Sequence, residues 1–537
     1  MPMFIQEAND YYRYCSGEEL IKISDAICLG RRRGNFPKCK GCQFNDEDKQ
    51  SRAESMMGQT PARGRDHAKT KRDAIESIFS TYDVQGMYPE PLDTEIAWRI
   101  GYATAQLLRS ELRGYDRSDP AKSAVVVGRD MRKSSPVLAE ALIQGLRSGG
   151  ASVIDIGLVD TPQLYFAVNH LTCCGGVQVT ASHNGSHVNG FKICGKMSRS
   201  ISSDTGLGKI CKIAKNTMPH ASGQLADFSQ NDLAGPYKKF VRQFLKPGGP
   251  FNEDRPLKIV VDASNGMAGR WFPQLFDDVD WLEIVRLNFD HNGEFVHDPN
   301  PLIESSLVQL KDRMSRAKAH FGLCFDGDAD RCVVVDNALN TVPADLITAL
   351  MARYALQEAA GSTVVYDVRS SRVVKEEIQQ AGGIPRRERC GHAFIKKALS
   401  DTKGILGGEL SGHYYFRDNG CCDSGVIAFV QVVNILAKSG KSLSELLIPL
   451  KRYAHSGELN FVNDDPDGTI KKLAHLYSDA KIDYLDGVTV QYEDWWFNVR
   501  QANTEPLFRL NVEAKDRDML NAKLEKLYPH LGTPSDQ

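Results

Sequence analysis

The chain has 537 residues, 42% of them apolar and 25% charged, with a formal net charge of −2. That apolar content excludes wholesale disorder, the near-neutral charge gives no sign of general nucleic-acid binding, and the length exceeds what one core serves, suggesting roughly three to five domains. No run of about 18 apolar residues is present to span a membrane, the opening MPMFIQEANDYYRY lacks the charged-then-apolar pattern of an export signal, and the 13 cysteines then read as reduced thiols of a cytoplasmic protein.

Residues 1–73 differ from the rest. They hold Cys15, Cys28, Cys39 and Cys42, the last two as a C-x-x-C pair. This resembles half of a zinc or iron–sulfur site, with two distant cysteines as partners; the alternatives are free thiols or a redox pair. The run Arg31-Arg32-Arg33 is a solvated face or an anion contact. Residues 46–73 are polar, with Gly, Pro and mixed charge, and read as a flexible linker.

From residue 74 the pattern becomes regular. Ile75–Gly86 reads as a strand and loop, and Thr94–Leu112 carries helical apolar spacing. A strand is expected at Ala124–Val127, a helix at Ser135–Ser148, and strands at Ser152–Ile156 and Gly176–Thr180. Strands alternating with helices at this spacing argue for βαβ units in a mostly parallel sheet. The strand at Gly176–Thr180 runs into a loop of small and polar residues, where Ser182 sits as an exposed nucleophile or phosphate carrier would. Taken alone, that loop is as readily a plain turn.

A second αβ block starts near Leu257 with KIVVDASNGMAGR, a strand, glycine loop and helix. It ends on AHFGLCFDGDADRCVVVD, where an apolar strand delivers Asp326, Asp328 and Asp330 at its C-terminal end. Carboxylates packed this closely repel one another, and a hard, oxygen-seeking dication such as Mg²⁺ relieves the repulsion. Gly327 is expected to let the backbone turn, and Arg331 to hold an anion beside the metal. A calcium-binding helix–loop–helix requires Gly at position six and Glu at position twelve. Those positions hold Arg331 and Asn337, so that reading fails. An aspartate-nucleophile phosphatase and an acidic surface turn are the weaker alternatives.

A third block runs from near Pro343: helix Ala344–Gln357, strand Thr363–Val368, helix Arg372–Ala381, loop Glu388–His392, strand Gly404–Leu406 and helix Ser424–Lys438. Three blocks of similar element order suggest a diverged internal repeat. The last block, from about His455, has strands at Gly487–Tyr492 and Trp495–Arg500 and a helix at Asp516–Leu527. Its turn, Arg500 to Arg509, offers charge and hydrogen bonds that suit a phosphate. A hinge is expected near Lys451–Gly457.

Four loops are jointly specific: T-A-S-H-N (Thr180–Asn184), D-G-D-A-D-R (Asp326–Arg331), G-E-L-S-G-H (Gly408–His413) and R-x-x-N-T-E-P (Arg500–Pro506). With them, the chain from about 74 onward resembles the α-D-phosphohexomutase superfamily, most closely its bacterial phosphomannomutase/phosphoglucomutase branch. The resemblance implies an α/β protein of four domains around a cleft: three similar αβ domains with mixed sheets and a smaller TATA-box-binding-like α+β domain. The expected boundaries are 74–220, 221–340, 341–453 and 454–537, with 1–73 as an extension outside the resemblance. It also implies interconversion of hexose 6-phosphate and hexose 1-phosphate through a hexose 1,6-bisphosphate, which acts as activator. Ser182 would carry the phosphoryl group, with Mg²⁺ on Ser182, Asp326, Asp328 and Asp330. Arg331, Lys192 and His413 would act at the reacting centre. Glu409 and Ser411 would grip the sugar hydroxyls, with His392, Arg369 and Tyr82 lining the cleft. Arg500, Asn503, Thr504 and Arg509 would hold the non-reacting phosphate. The partners expected are hexose phosphates alone, without nucleic acid or membrane, on a monomer or homodimer.

This chain departs from the family in places. F-R-x-Y-D-I-R-G is common near the start of the first domain, whereas Phe79–Gly86 reads FSTYDVQG, keeping Tyr82 and Asp83 but placing Ser80 and Gln85 where arginines are usual. Loss of the second arginine slows the chemistry, or another cation substitutes. Ala502 stands for a phosphate-loop serine, and Arg369 for a lysine. The leading function is a mutase acting on mannose and glucose phosphates. An amino-sugar phosphate mutase is disfavoured by G-E-L-S-G-H, and a phosphosugar-binding regulator by the intact serine, metal and sugar loops.

Overall fold

The computed structural model describes residues 71–219, 224–502 and 507–535, together with a short antiparallel pair, Tyr12–Tyr14 and Lys22–Ser24. The chain divides into two units, Met1–Thr70 and Lys71–Gln537. The four N-terminal cysteines lie outside the described residues. Those that are described, from Cys173 to Cys422, are free thiols.

The described residues of the second unit form four sheets. In the first, the strand Val125–Arg129 is nearly all β-branched and buried, which suits the centre of a sheet covered on both faces. It runs parallel to Val153–Leu158 and to Gly175–Val179. Val188–Gly195 and Val84–Met87 then follow antiparallel, and Phe228–Gln230 closes the opposite edge. Residues 71–77 are helical, so the strand expected to begin at Ile75 starts at Val84 instead. Ile75 and Ile78 are buried, and their spacing belongs to a helical turn, which a short apolar run does not distinguish from a strand.

The second sheet orders its strands Leu282–Leu287, Leu257–Asp262, Phe321–Phe325, Cys332–Asp336 and Thr341–Val342, with the last two antiparallel. The third repeats this order with Ile384–Glu388, Thr363–Asp367, Leu406–Gly408, Tyr414–Phe416 and Cys422–Asp423. The repeat expected from element order is therefore present as a shared topology. The first sheet differs in taking its terminal antiparallel strand, Val84–Met87, from the beginning of the block. The fourth sheet is antiparallel throughout and carries the helices Pro466–Leu476 and Arg517–Leu527, the α+β layout that the resemblance implies.

Side-chain signals set the helix ends. Asp160 accepts from the backbone N–H of Gln163 at 2.7 Å and starts Thr161–His170, with Pro162 in the first turn. Ser424 accepts from Ile427 at 3.1 Å and starts the buried helix Gly425–Ser439. No described helix is long and apolar enough to cross a membrane; one bent pair, Gly425–Ser439 with Leu443–Leu450, passes on length and composition together, and the first of these is core. One apolar cluster running from Ala124 to Leu450 is shared by the first three sheets, each of which also buries a separate cluster, and the fourth sheet has a core of its own from Phe461 to Leu531.

Candidate active site

Ser182 follows the strand Gly175–Val179 in a left-handed conformation, φ 51°, that non-glycine residues hold only when their surroundings impose it. Arg132 imposes it. Its buried guanidinium donates to the carbonyls of Ser182 (3.0 Å), Asn184 (2.6 Å), Gly185 (2.6 Å) and Val188 (3.0 Å). Asp130 anchors that guanidinium at 3.0 Å and also accepts from Thr180 at 2.7 Å, while Thr180 Oγ1 accepts the Ser182 N–H at 3.0 Å. Neither aspartate nor arginine of this brace was among the expected site residues. The signal lay in Gly128-Arg129-Asp130, two residues short of the arginine that matters.

The acidic loop meets this serine face to face. Ser182 Oγ donates to Asp326 Oδ2 at 3.0 Å and accepts from Arg331 Nη2 at 3.1 Å. Arg331 also holds Asp326 through Nε at 3.1 Å and contacts His183 Nδ1. Arg331 is thus engaged with the serine and the loop's own carboxylate. Gly327 sits in a turn closed by the Ala329 N–H on the Asp326 carbonyl at 3.3 Å, as expected, and it also permits a close approach: a Cβ there would stand 2.5 Å from the Ser182 carbonyl oxygen, while the left-handed residue of the loop is Ala329, φ 61°.

Lys192 reaches the loop from the strand Val188–Gly195, donating to Asp328 at 2.7 Å and also to Asp330. Thr161 Oγ1 donates to Asp328 at 2.5 Å. Burial opposes charge on Lys192, but Asp328, Asp330 and Asp326 raise its pKa above the ordinary lysine value, so it stands as an ammonium. Burial pushes Asp326 well above the usual carboxylate range, reinforced by Asp330 and Asp328. Burial acts the same way on Asp330, yet Lys192, His413 and Arg331 hold it far below that range. Ligand oxygens of Asp326, Asp328 and Asp330 lie within 4.8 Å of one another. Asp328 Oδ1 and Asp330 Oδ1 are buried without a hydrogen-bond partner. Hard oxygen donors, crowded and partly orphaned, fit a small divalent cation.

The loop Gly408–His413 closes a third side. Ser411 Oγ donates to Glu409 at 2.9 Å and lies 2.9 Å from His413 Nδ1, and His413 Nε2 is 3.6 Å from Asp330. Gly412 accepts from the backbone of Cys332, stitching this loop to the strand after the acidic loop. Burial works against charge on Glu409, but His413 and Arg369 hold its pKa near 2. Tyr82 donates to the Cys390 carbonyl at 2.9 Å and packs on His392, whose pKa burial lowers to about 3. Gln85, standing for the absent arginine, donates to Asp83 at 2.5 Å and accepts from Asn184 at 2.6 Å, so an amide joins this corner to the serine loop.

The basic residues gather on the fourth side. Arg369 is held by Asp367, while Arg500 donates to Asn498 and Asn511. Arg369, Arg500 and Arg509 all contact Glu458. Asn503 and Thr504 lie outside the described residues.

Fold and site together define a multi-sheet α/β protein in which a strained, buried serine faces an acidic metal-type loop, with a cluster of arginines nearby. Models of phosphoglucomutase/phosphomannomutase α/β/α domains I, II and III match residues 76–220, 237–339 and 343–453, and the C-terminal domain model matches 458–528. A phosphohexose mutase of Xanthomonas campestris pv. campestris (strain B100) is 36% identical over 455 residues, covering 84% of this chain and 98% of its own. A Vibrio cholerae phosphomannomutase is 35% identical over 467 residues, at 84% and 97% coverage. A crystal structure of a phosphoglucomutase/phosphomannomutase family protein from Burkholderia thailandensis superposes with a TM-score of 0.76 at 31% identity, covering 86% of this chain and 99% of that one. The chain belongs to the phosphoglucomutase/phosphomannomutase family of phosphohexomutases, isomerases that act as intramolecular phosphotransferases.

Proposed function

We propose that the protein interconverts the 6-phosphate and 1-phosphate of mannose, and of glucose, through a phosphorylated Ser182 and a hexose 1,6-bisphosphate. The observation that carries this reading is Ser182 Oγ set between Asp326 and Arg331 at 3.0 and 3.1 Å. In the forward half-reaction the P–Oγ bond of phosphoserine breaks as a bond forms from phosphorus to a sugar hydroxyl oxygen. The hydroxyl gives up its proton, and Ser182 Oγ ends protonated. Lys192, held as an ammonium, is suited to contacting the sugar or its phosphoryl group as a fixed positive charge, and His413, 3.6 Å from Asp330, stands at the same reacting centre. Arg331 neutralises charge on the phosphoryl oxygens. Glu409 and Ser411 bind hydroxyls present in either orientation of the sugar, while Arg369, Arg500, Asn503, Thr504 and Arg509 hold the phosphate that is not reacting. Tyr82 and His392 shape the wall between them.

Asp326, Asp328, Asp330 and the phosphoserine suit Mg²⁺, which when bound draws charge from the phosphorus. We read domains at 74–220, 221–340, 341–453 and 454–537, a cytoplasmic location, and a monomer or homodimer. The zinc or iron–sulfur reading of Cys15, Cys28, Cys39 and Cys42 is decided by elemental analysis of the purified protein.

The test is turnover of mannose 1-phosphate and glucose 1-phosphate with Mg²⁺ and catalytic hexose 1,6-bisphosphate, beside Ser182→Ala. Conversion by the wild type that the variant loses supports the mechanism. Equal inertness of both proteins sinks it.

A further inference from the structure

The feature that the phosphomutase reading does not use is Glu458. It lies on the strand Ala454–Val462, just after the pairing with Phe508–Ala514 shifts register between His455 and Glu458. A bulge of this kind turns a side chain away from the direction that regular alternation would give it. Gly457, at φ 73°, supplies the conformation needed there. The result is a carboxylate aimed into the arginine cluster. One oxygen contacts Arg500 and lies 3.4 Å from Arg369 Nη1; the other is 3.2 Å from Arg509 Nη1. Arg369 belongs to the third sheet's loops and the other two arginines to the fourth sheet, so one carboxylate bridges both.

Arg500 is 3% exposed, and one of its terminal nitrogens is already committed to Asn498 and Asn511, at 3.2 and 2.9 Å. Its other terminal nitrogen is the one on Glu458. A phosphate that takes the same face must therefore displace, or share with, a carboxylate that is already there. Guanidiniums crowded together away from water repel one another, and leaving them without any anion is unfavourable.

We propose that Glu458 is an exchangeable internal anion of the phosphate subsite: it occupies the arginine cluster when no ligand phosphate is present and yields to the phosphate of the sugar. This rests on the assignment of Arg369, Arg500 and Arg509 to phosphate binding. It has a consequence for the bisphosphate intermediate, which must leave this subsite and return with its other phosphate. The departing phosphate does not leave the cluster short of an anion, because the carboxylate moves back as it leaves. Affinity in the wild type is thereby held below what the arginines alone would give, in exchange for release.

Calorimetric titration of inorganic phosphate into the full-length protein tests this, comparing wild type, Glu458→Gln and Arg500→Gln, with steady-state kinetics alongside. Removing one like charge beside the anion should tighten phosphate binding in Glu458→Gln by roughly five- to tenfold. KM for the hexose phosphate should fall in parallel, and kcat should fall because release is slower. Phosphate bound no tighter than by the wild type, in a Glu458→Gln protein with unchanged circular dichroism, overturns the proposal. If the amide is not tolerated, Glu458→Asp draws the carboxylate back by one methylene and should shift affinity in the same direction by less. Arg500→Gln separates the two levels of inference. Weakened phosphate binding there with an unchanged Glu458→Gln sinks the exchange alone. Unchanged binding in Arg500→Gln sinks the subsite reading and the exchange with it.

Discussion

The backbones of Gly327 and Ser182 are in such close contact that a single methyl group at position 327 would stand 2.5 Å from the Ser182 carbonyl oxygen. The serine loop and the acidic loop are thus one piece, and neither has room to shift without the other. Gly327→Ala should push Ser182 off the Asp326–Arg331 pair at a stability cost of about 1–3 kcal/mol. The expected outcome is a folded protein whose Ser182 is no longer phosphorylated, read by mass spectrometry after incubation with hexose 1,6-bisphosphate.

Arg132 holds four carbonyls and Asp130 in a site where both its own head and the aspartate are fully buried. Arg132→Ala leaves Asp130 without its counter-charge and should cost about 3–5 kcal/mol in denaturant unfolding. Arg132→Lys should recover only part of this, because a point charge cannot fork across separate acceptors.

Gln85 couples Asp83 to Asn184 through two hydrogen bonds. Gln85→Ala should lose about 1 kcal/mol for each. Loosening of the serine loop should appear as a drop of about tenfold in kcat with little change in KM, since the corner positions the loop and not the sugar.

Burial alone would raise the pKa of Glu458, but Arg500, Arg369 and Arg509 bring it from 4.5 down to about 2. A carboxylate depressed in this way contributes stability that is present above its unfolded pKa and lost as pH falls through the folded one. The stability difference between wild type and Glu458→Gln, a few kcal/mol at most at neutral pH, should shrink as pH falls from about 4.5 toward 2. Urea midpoints measured across that window check it, and a difference that grows on acidification would contradict the charge assignment.

Chelation should abolish turnover yet leave the fold nearly intact. Lys192 lies on Asp328 and Asp330, and Arg331 on Asp326, so the carboxylates have cations of their own. With EDTA the expected result is no activity, an unchanged far-ultraviolet spectrum, and full recovery on adding Mg²⁺.

Much of the site was legible because its parts are contiguous. Ser182, the three aspartates, and Glu409 with Ser411 and His413 lie in short loops after apolar strands, and such loops announce themselves. The helix Ser135–Ser148 matched to the residue, since Ser134, Pro136 and Gly149 punctuate it. Arg132, Thr161, His183 and Glu458 were not legible. Each acts on a partner that folding brings from elsewhere or from a neighbouring loop: Arg132 on carbonyls about 50 positions away, Thr161 on Asp328, His183 on Arg331, and Glu458 on three arginines. Gly327 was noticed for its turn but not for its contact with Ser182, because a close approach leaves no trace in the residue's neighbours along the chain.

The division of the apolar interior has a mechanical corollary. The first three sheets share one continuous core, so prising them apart would expose oily surface; the fourth, from Phe461 to Leu531, is sealed within itself. Across that seam run mainly polar ties, such as Arg372 donating to the carbonyl of Trp495 at 3.0 Å and Arg369 to Glu458 at 3.4 Å. Water can replace ties of that sort at little expense, so separating the fourth sheet from the third would cost less apolar exposure than separating the first three.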